Sequence, residues 1–441
     1  MAGSAGVPPP PGAASARPGR ISPPPVLASG QDELPQQQVR RANARRVFHL
    51  IRQGEAISRV SLVGATGLSA QSIGDIIRSL IEQGLVEETG AEPRPGLGRP
   101  PIGVRIRPRG ALAFGCNIER DRIDGAWIDL SGAPVVSEIV RYPLGEEPGQ
   151  TIGRVEELYA RLTGQLSDRL SDQLRAPGSP DPRLAAIGLG LPGPIEPLHQ
   201  RLVNPPNLPH WEGVQPRALF SPGWTLPIFL ENAATAAALG EAWQSRNELR
   251  TFLYCHWGVG IGGGLVLDLQ TYSGTTGNAV ELGHVPVVPD GAECACGGRG
   301  CLEAEASVAA ICRQAAALGF EPDFDQVLER APGEPALAAL LKRSGELLAQ
   351  ALVGSVNLFD VDTVVLGGHH LQQAADWLVE PVRRELADRP IRRGVRPVAV
   401  VCSMLGEAGG AVGAASTVFD RLLPSPRSAA QVPPGLARGA P

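Results

Sequence analysis

The sequence predicts a chain in two folded parts, a mainly helical winged helix-turn-helix over residues 37–104 and a larger, layered α/β unit over residues 111–423. Three observations predict it. Two serine-capped helical patterns separated by a glycine-containing turn stand in the first part. From residue 111 onward, apolar β-rich runs alternate with helical patterns, the signature of α/β layering. A Pro- and Gly-rich run from Pro93 to Pro101 separates the two. A chain of 441 residues with 43% hydrophobic content also exceeds what one core usually serves.

Residues 1–36 are rich in Pro, Ala, Gly and Ser with few large apolar groups, a composition that cannot bury enough surface to offset chain entropy, so a disordered arm is expected. The tail, residues 424–441, has the same character. Between Val39 and Gln53, Val39, Val47, Phe48, Leu50 and Ile51 recur at helical spacing among arginines and predict an amphipathic helix. Ser58 is suited to cap a short helix ending near Ala65, Thr66-Gly67-Leu68 to turn the chain, and Ser69 to cap a third helix running to about Gln83. Leu68, Ile73, Ile76, Ile77, Leu80 and Ile81 form the expected buried side of that helix. After Gly84, residues 85–88 and 102–104 predict two strands of a wing, with residues 89–101 as its loop.

In this plan the second helix of the motif offers its N-terminal side chains to the DNA major groove. The candidates for DNA contact are Ser58, Arg59, Ser69, Gln71, Ser72 and Arg78, with Arg94 and Arg99 on the wing loop. Gln71 is the expected base reader, because an amide can pair bidentately with adenine, and Arg78 the phosphate contact. An arginine between glycine and proline, as at Arg99, suits a narrow minor groove. Charge agrees. Residues 40–110 carry twelve Arg against six Asp and Glu, a balance of +6 in a chain whose total is −5, so the remainder sums to −11. The alternatives are a solvated basic face and a three-helix bundle used for protein contacts.

In the second part, the run from His284 to Glu303 places His284, Cys294, Cys296 and Cys301 where one imidazole and three thiolates can close around a single metal ion. Zinc takes such ligands in a tetrahedral shell, and four protein ligands leave no open position, so one structural zinc per chain is expected. The alternatives are a disulfide with a spare thiol, or small buried residues. The other four of the seven cysteines are scattered, no run of 18 apolar residues is free of charges and turn formers, and no secretory signal is evident; a cytoplasmic protein without a membrane span is expected.

The segment SRVSLVGATGLSAQSIGDIIRSLIEQGLVEETG with the following GLGRP resembles the head of the repressor branch of the ROK family, named for repressor, open reading frame and kinase. The resemblance continues to about residue 420 through GLGLPGPIE (188–196), ENAATAAALGE (231–241), GVGIGGG (258–264), VELGH (280–284), CACGGRGCLEAEAS (294–307) and VVLGG (364–368). It implies an actin-like ATPase fold (ribonuclease H-like, sugar-kinase-like): two α/β lobes around a cleft. It also implies a sugar or sugar-phosphate effector, an operator DNA, and a homodimer or a tetramer.

Two departures from the kinases of that family bear on chemistry. Their proton-accepting Asp follows Asn in a segment resembling ENDANAAALGE; here Ala233 stands at that position, and a methyl accepts no proton. Their first phosphate turn, Asp-x-Gly-Gly-Thr, corresponds to residues 117–121, where Glu119 and Arg120 replace glycines and Glu119 opposes a triphosphate. The reading is a regulator with an inactive kinase-like sensor, the alternative a sugar kinase carrying a DNA-binding head. By the same resemblance Asn232, Glu281, His284 and Glu303, with Asn207 beside them, match residues that hydrogen-bond sugar hydroxyls. Val280, in place of the usual glycine before Glu281, is expected to crowd that pocket. The glycines at 258–264 and 367–368 are expected to serve close strand packing.

Overall fold

The computed structural model describes residues 35–54, 56–89, 102–174, 183–224, 226–246 and 248–422. The expected arm up to residue 34, the tail from residue 423, and Arg94 and Arg99 lie outside them.

The head comprises α1 (Pro35–Gln53), β1 (Ile57–Ser58), α2 (Arg59–Thr66), α3 (Ala70–Glu82), β2 (Val86–Glu88) and β3 (Gly103–Ile106). Its punctuation follows the capping logic. The Ser58 and Ser69 side chains accept hydrogen bonds from the amides of Ser61 and Ser72, both at 3.1 Å, and Gly67 takes φ +71° to end α2. The axes of α2 and α3 turn by 117°, within the range of a helix-turn-helix. Ile73, Ile77 and Leu80 bury the inner side of α3 against Val47, Phe48, Ile51 and Leu62. Three expectations change. α1 begins at Pro35, four residues ahead of the expected helix start at Val39 and two ahead of the expected domain boundary at residue 37. Ile81 is 37% exposed, because it follows the last buried turn of α3. The wing strands β2 and β3 are joined by β1, which pairs with β3 through Ile57 and Val104; a two-residue strand leaves no periodicity to read.

The α/β unit has two lobes built on one plan. In the first, β4 (Ala111–Ile118), β5 (Arg122–Asp129) and β6 (Pro134–Arg141) form an antiparallel meander; α4 (Pro148–Leu174) leads to β7 (Arg183–Leu191), the small hairpin β8 (Ile195–Glu196) and β9 (Arg201–Leu202), then β10 (Ile228–Asn232) and α5 (Ala233–Gln244). The sheet order is β10-β7-β4-β5-β6. In the second lobe, β11 (Phe252–Trp257), β12 (Ile261–Leu267) and β13 (Gln270–Thr271) form the meander. The helices α6 (Leu302–Ala306), α7 (Val308–Ala317), α8 (Phe324–Arg330) and α9 (Pro335–Phe359) follow, then β14 (Thr363–Gly367), α10 (Ala375–Asp388) and β15 (Ala399–Cys402), in sheet order β13-β12-β11-β14-β15. Each sheet thus joins a three-stranded antiparallel meander to two parallel strands. The last helix, α11 (Gly409–Leu422), returns to the first lobe. It packs so closely on β4 and β7 that a methyl at Gly115 or Gly188 would meet its backbone.

Head and first lobe share one apolar cluster. The Arg52 guanidinium lies 3.8 Å above the Trp243 ring and donates to the Trp243 carbonyl at 2.6 Å. Arg52 is 2% exposed, and burial pulls its pKa down to about 9, so it remains charged at neutral pH. Arg45 forms an ion pair with Asp420 near the end of α11, and Trp243 stacks on Phe419. The ends of α5 and α11 therefore form the seat of α1. No single helix among the described residues is long and apolar enough to cross a membrane.

Candidate functional site

All five residues expected at the sugar site line one cleft, with an empty volume of about 1070 Å³ that includes the solvent at its mouth. Asn232 caps α5: its Oδ1 accepts from the Ala234 and Thr235 amides at 2.9 and 3.2 Å, which leaves Nδ2 as the group free to meet a ligand. Ala233 follows as the first residue of the helix and also lines the cleft. Glu303 stands in the first turn of α6, and its Oε2 accepts from the Ile261 amide at 2.8 Å. A methyl at Gly260 would meet the ends of both the Glu303 and Asn207 side chains, so the bare backbone there lets these two side chains approach it closely. Burial, then the nearby Glu303, push the Glu281 carboxyl above the usual carboxylate range, and His284 opposes that shift.

The glycines at 262–264 serve packing. A methyl at Gly264 would lie 2.7 Å from the Ala234 carbonyl, and one at Gly263 an equal 2.7 Å from Val280. The crowding expected from Val280 is not found. Val280 does not line the cleft; it packs against the core of the second lobe and holds φ +67°, a conformation that strains a β-branched residue. The side chain that would have filled the pocket is thus turned away from it.

The expected metal ligands converge. The ligand atoms of His284, Cys294, Cys296 and Cys301 all lie within 4.8 Å of one another. Cys296 and Cys301 Sγ are 3.7 Å apart, close to the ~3.8 Å that two Zn–S bonds of about 2.3 Å subtend at a tetrahedral ion. Gly297 at φ +90° and Gly300 at φ +65° reverse the chain between them. His284 Nδ1 lies 3.5 Å from Cys294 Sγ, so this nitrogen faces the cluster while the residue also lines the cleft. The donor set and its spacing fit one metal ion, and the three cysteines are free of disulfides.

Residues at the end of β4 and the start of β5 also line the cleft. Arg122 is buried and paired with Asp124 at 2.6 Å, and it donates to the Glu407 carbonyl at 2.9 Å. Burial, then Glu119, push the Asp124 carboxyl up to about 7 against the pull of Arg122. Asn117, Glu119 and Arg120 line the cleft as well, and so does His369. Burial holds His369 down at about 3, so it is neutral at physiological pH. Asn117, Arg122 and Asp124 were not singled out as site residues in the sequence, although the loss of two glycines beside them marked the segment.

In the head, Gln71 and Ser72 are exposed in the first turn of α3, where a recognition helix presents its side chains. Several of the basic residues counted toward a DNA face are engaged internally. Arg45 and Arg52 hold the lobe, and Arg46 donates to the Thr66 and Ala65 carbonyls at 3.1 and 3.0 Å. Arg59 pairs with Glu88 at 2.6 Å, and Arg78 with Asp75 at 3.1 Å. Ser58 and Ser69 are caps, their oxygens already used by backbone amides.

The xylose repressor of Bacillus subtilis is 25% identical to this chain over 387 residues, covering 87% of it and 97% of the repressor. The glucokinase of Thermotoga maritima is 33% identical over 254 residues, 54% of this chain and 80% of the kinase. Among solved structures, a ROK family transcriptional regulator homologous to the Escherichia coli Mlc protein superposes with a TM-score of 0.68 at 24% identity, over 88% of this chain and 98% of its own, a likeness of fold. Residues 161–421, more than half the chain, match the family on which the sequence resemblance rested. This chain belongs to the ROK family.

Proposed function

We propose that this chain is a sequence-specific DNA-binding transcriptional regulator, a repressor of carbohydrate-related genes, whose sugar-kinase-like unit binds an effector and catalyses nothing. The observation that carries this reading is a cleft lined by Asn207, Asn232, Glu281, His284 and Glu303 together with Ala233, in a chain whose head exposes the first turn of α3. The xylose repressor and Mlc, named as repressors, match 87% and 86% of the chain, head included in the span, which supports the same reading.

In this account residues 37–104 bind an operator, with Gln71, Ser72 and Arg78 on the DNA side and Arg94 and Arg99 on the wing; Arg78 exchanges Asp75 for phosphate. Residues 111–423 bind a sugar through Asn207, Asn232, Glu281, His284 and Glu303. One zinc, held by His284, Cys294, Cys296 and Cys301, fixes the loop that carries Glu281 and Glu303; it is structural because no coordination position is left open. The protein works in the cytoplasm as a homodimer. Lobe closure on the sugar shifts the seat of α1, and with it the spacing of the paired recognition helices, which must match major grooves ~34–36 Å apart.

Two assays test this. Selection of bound fragments from genomic DNA is expected to return a recurring, two-fold-related sequence beside carbohydrate genes. Incubation with ATP and a panel of hexoses is expected to yield no sugar phosphate; turnover at ordinary enzyme rates would replace this reading with that of a sugar kinase.

A further inference from the structure

One side chain ties the two lobes together beside the cleft. The chain passes between the lobes twice, from α5 to β11 and from β15 to α11, and Asn278 lies on neither crossing. It stands in the second-lobe loop between β13 and Glu281 and reaches Ile195 in β8 of the first lobe. Its Oδ1 accepts from the Ile195 amide at 2.7 Å and its Nδ2 donates to the Ile195 carbonyl at 3.0 Å. The second hydrogen of that nitrogen meets the Thr276 carbonyl at 2.9 Å, so every donor of the side chain is engaged. Both ends of this tie adjoin the cleft: Gly193, two residues before Ile195, and Glu281, three residues after Asn278, line it.

Backbone geometry explains why an asparagine serves here. β8 pairs with β9 through Ile195 and Leu202, and the amide and carbonyl of Leu202 are taken by Val214 and Gly213. The amide and carbonyl of Ile195 therefore face outward, as an open strand edge. A side-chain amide carries a donor and an acceptor as a peptide group does, and it closes that edge as a further strand would. Its orientation is fixed, because the Ile195 amide can only donate and the Ile195 carbonyl can only accept. The loop is shaped to present it: Gly274 and Gly277 take φ +66° and +82°, and the Ala279 amide donates to the Ser273 carbonyl at 3.3 Å. Lobes turn about their chain crossings by changes in a few backbone angles, so a tie away from both crossings resists their separation.

We infer that Asn278 is a positioning residue of the cleft: its two-point hold on Ile195 keeps the lobes together before a ligand arrives, and a bound ligand leaves when that hold breaks. The ligand part of this inference rests on the sugar-sensor reading above and adds to it what sets the rate of release.

Hydrogen exchange on the full, metal-loaded, ligand-free chain reads the hold directly. Asn278→Ala is expected to exchange ~10-fold faster across residues 192–203 and 273–281, about what two hydrogen bonds contribute, with β4 and β14 unchanged. Asn278→Asp keeps the size but only accepts at neutral pH, so it opposes the Ile195 carbonyl and is expected to exchange at least as fast as Asn278→Ala. This isosteric variant separates a two-point hold from the filling of space, and it decides the matter where Asn278→Ala fails to fold. Stopped-flow release of whichever of glucose, mannose, N-acetylglucosamine or xylose binds is expected to quicken ~10-fold in both variants, with a smaller change in association. Asn278→Asp indistinguishable from wild type, exchange quickened evenly through both lobes, or unchanged release would overturn this inference and leave the sensor reading intact. Binding of none of these sugars would remove the sensor reading and the role in release, while exchange of the ligand-free chain would still decide the hold between the lobes.

Discussion

The two lobes share a strand order but have diverged in what they bring to the cleft. The second lobe contributes Glu281, His284 and Glu303, which flank the segment that carries the cluster of three cysteines and a histidine. The first lobe contributes Asn117, Glu119 and Ala233, an amide, a carboxylate and a methyl. The first lobe also carries the head, through Arg52 on Trp243 and Arg45 on Asp420. On the function proposed above, the second lobe serves recognition and the first lobe serves the connection to the head. α5 joins the two roles: Asn232 caps its start in the cleft, and Trp243 near its end supports α1.

The largest test of this contrast removes the metal. Cys296→Ser, or chelation, is expected to cost ~2 kcal/mol or more, about 4–8 °C in Tm for a unit of this size, and to abolish sugar binding while DNA binding by the head survives. Metal analysis, a thermal melt and calorimetry check it, and sugar binding unchanged in metal-free protein would break the contrast on the second-lobe side. Next, Ala233→Asp restores the proton acceptor alone, a change that on its own typically governs ~10²- to 10⁴-fold in rate. Because Glu119 still opposes the phosphate donor, no sugar phosphate is expected, and turnover would mean that the first lobe lost its chemistry at a single residue.

Arg52→Met keeps the apolar stem and removes the cation, at an expected cost of ~1–3 kcal/mol to docking of the head. Hydrogen exchange is expected to quicken in α1 and the end of α5 and to stay unchanged in β14 of the second lobe; equal quickening in both lobes would deny the first lobe its special link. The smallest effect is at Val280. Since an L side chain at its positive φ costs ~1–2 kcal/mol, Val280→Gly is expected to be more stable than Val280→Ala by about 1 kcal/mol, the reverse of the usual order, in paired thermal melts.

What could be read in the sequence was local. Ser58, Gly67 and Ser69 announce the turn of the head because caps and left-handed glycines act within a few residues, and the cluster of His284, Cys294, Cys296 and Cys301 announces itself through close spacing. What escaped was non-local. Arg52 meets Trp243 across 191 residues of chain and Arg45 meets Asp420 across 375, so both looked like part of a basic surface when they are the fastening of one unit to another. Val280 shows a further limit: its identity signalled crowding, but its backbone angle, which sends the side chain into the core, is set by tertiary packing.

The central claim is that the cleft is read by the head, and the DNA affinity of the full chain measures it most directly. With a genomic site labelled at one end, fluorescence anisotropy with and without saturating free sugar is expected to give dissociation constants differing at least ~5-fold, the lower range of ordinary coupling between two sites. A sugar that binds by calorimetry yet leaves the DNA affinity unchanged would contradict the account.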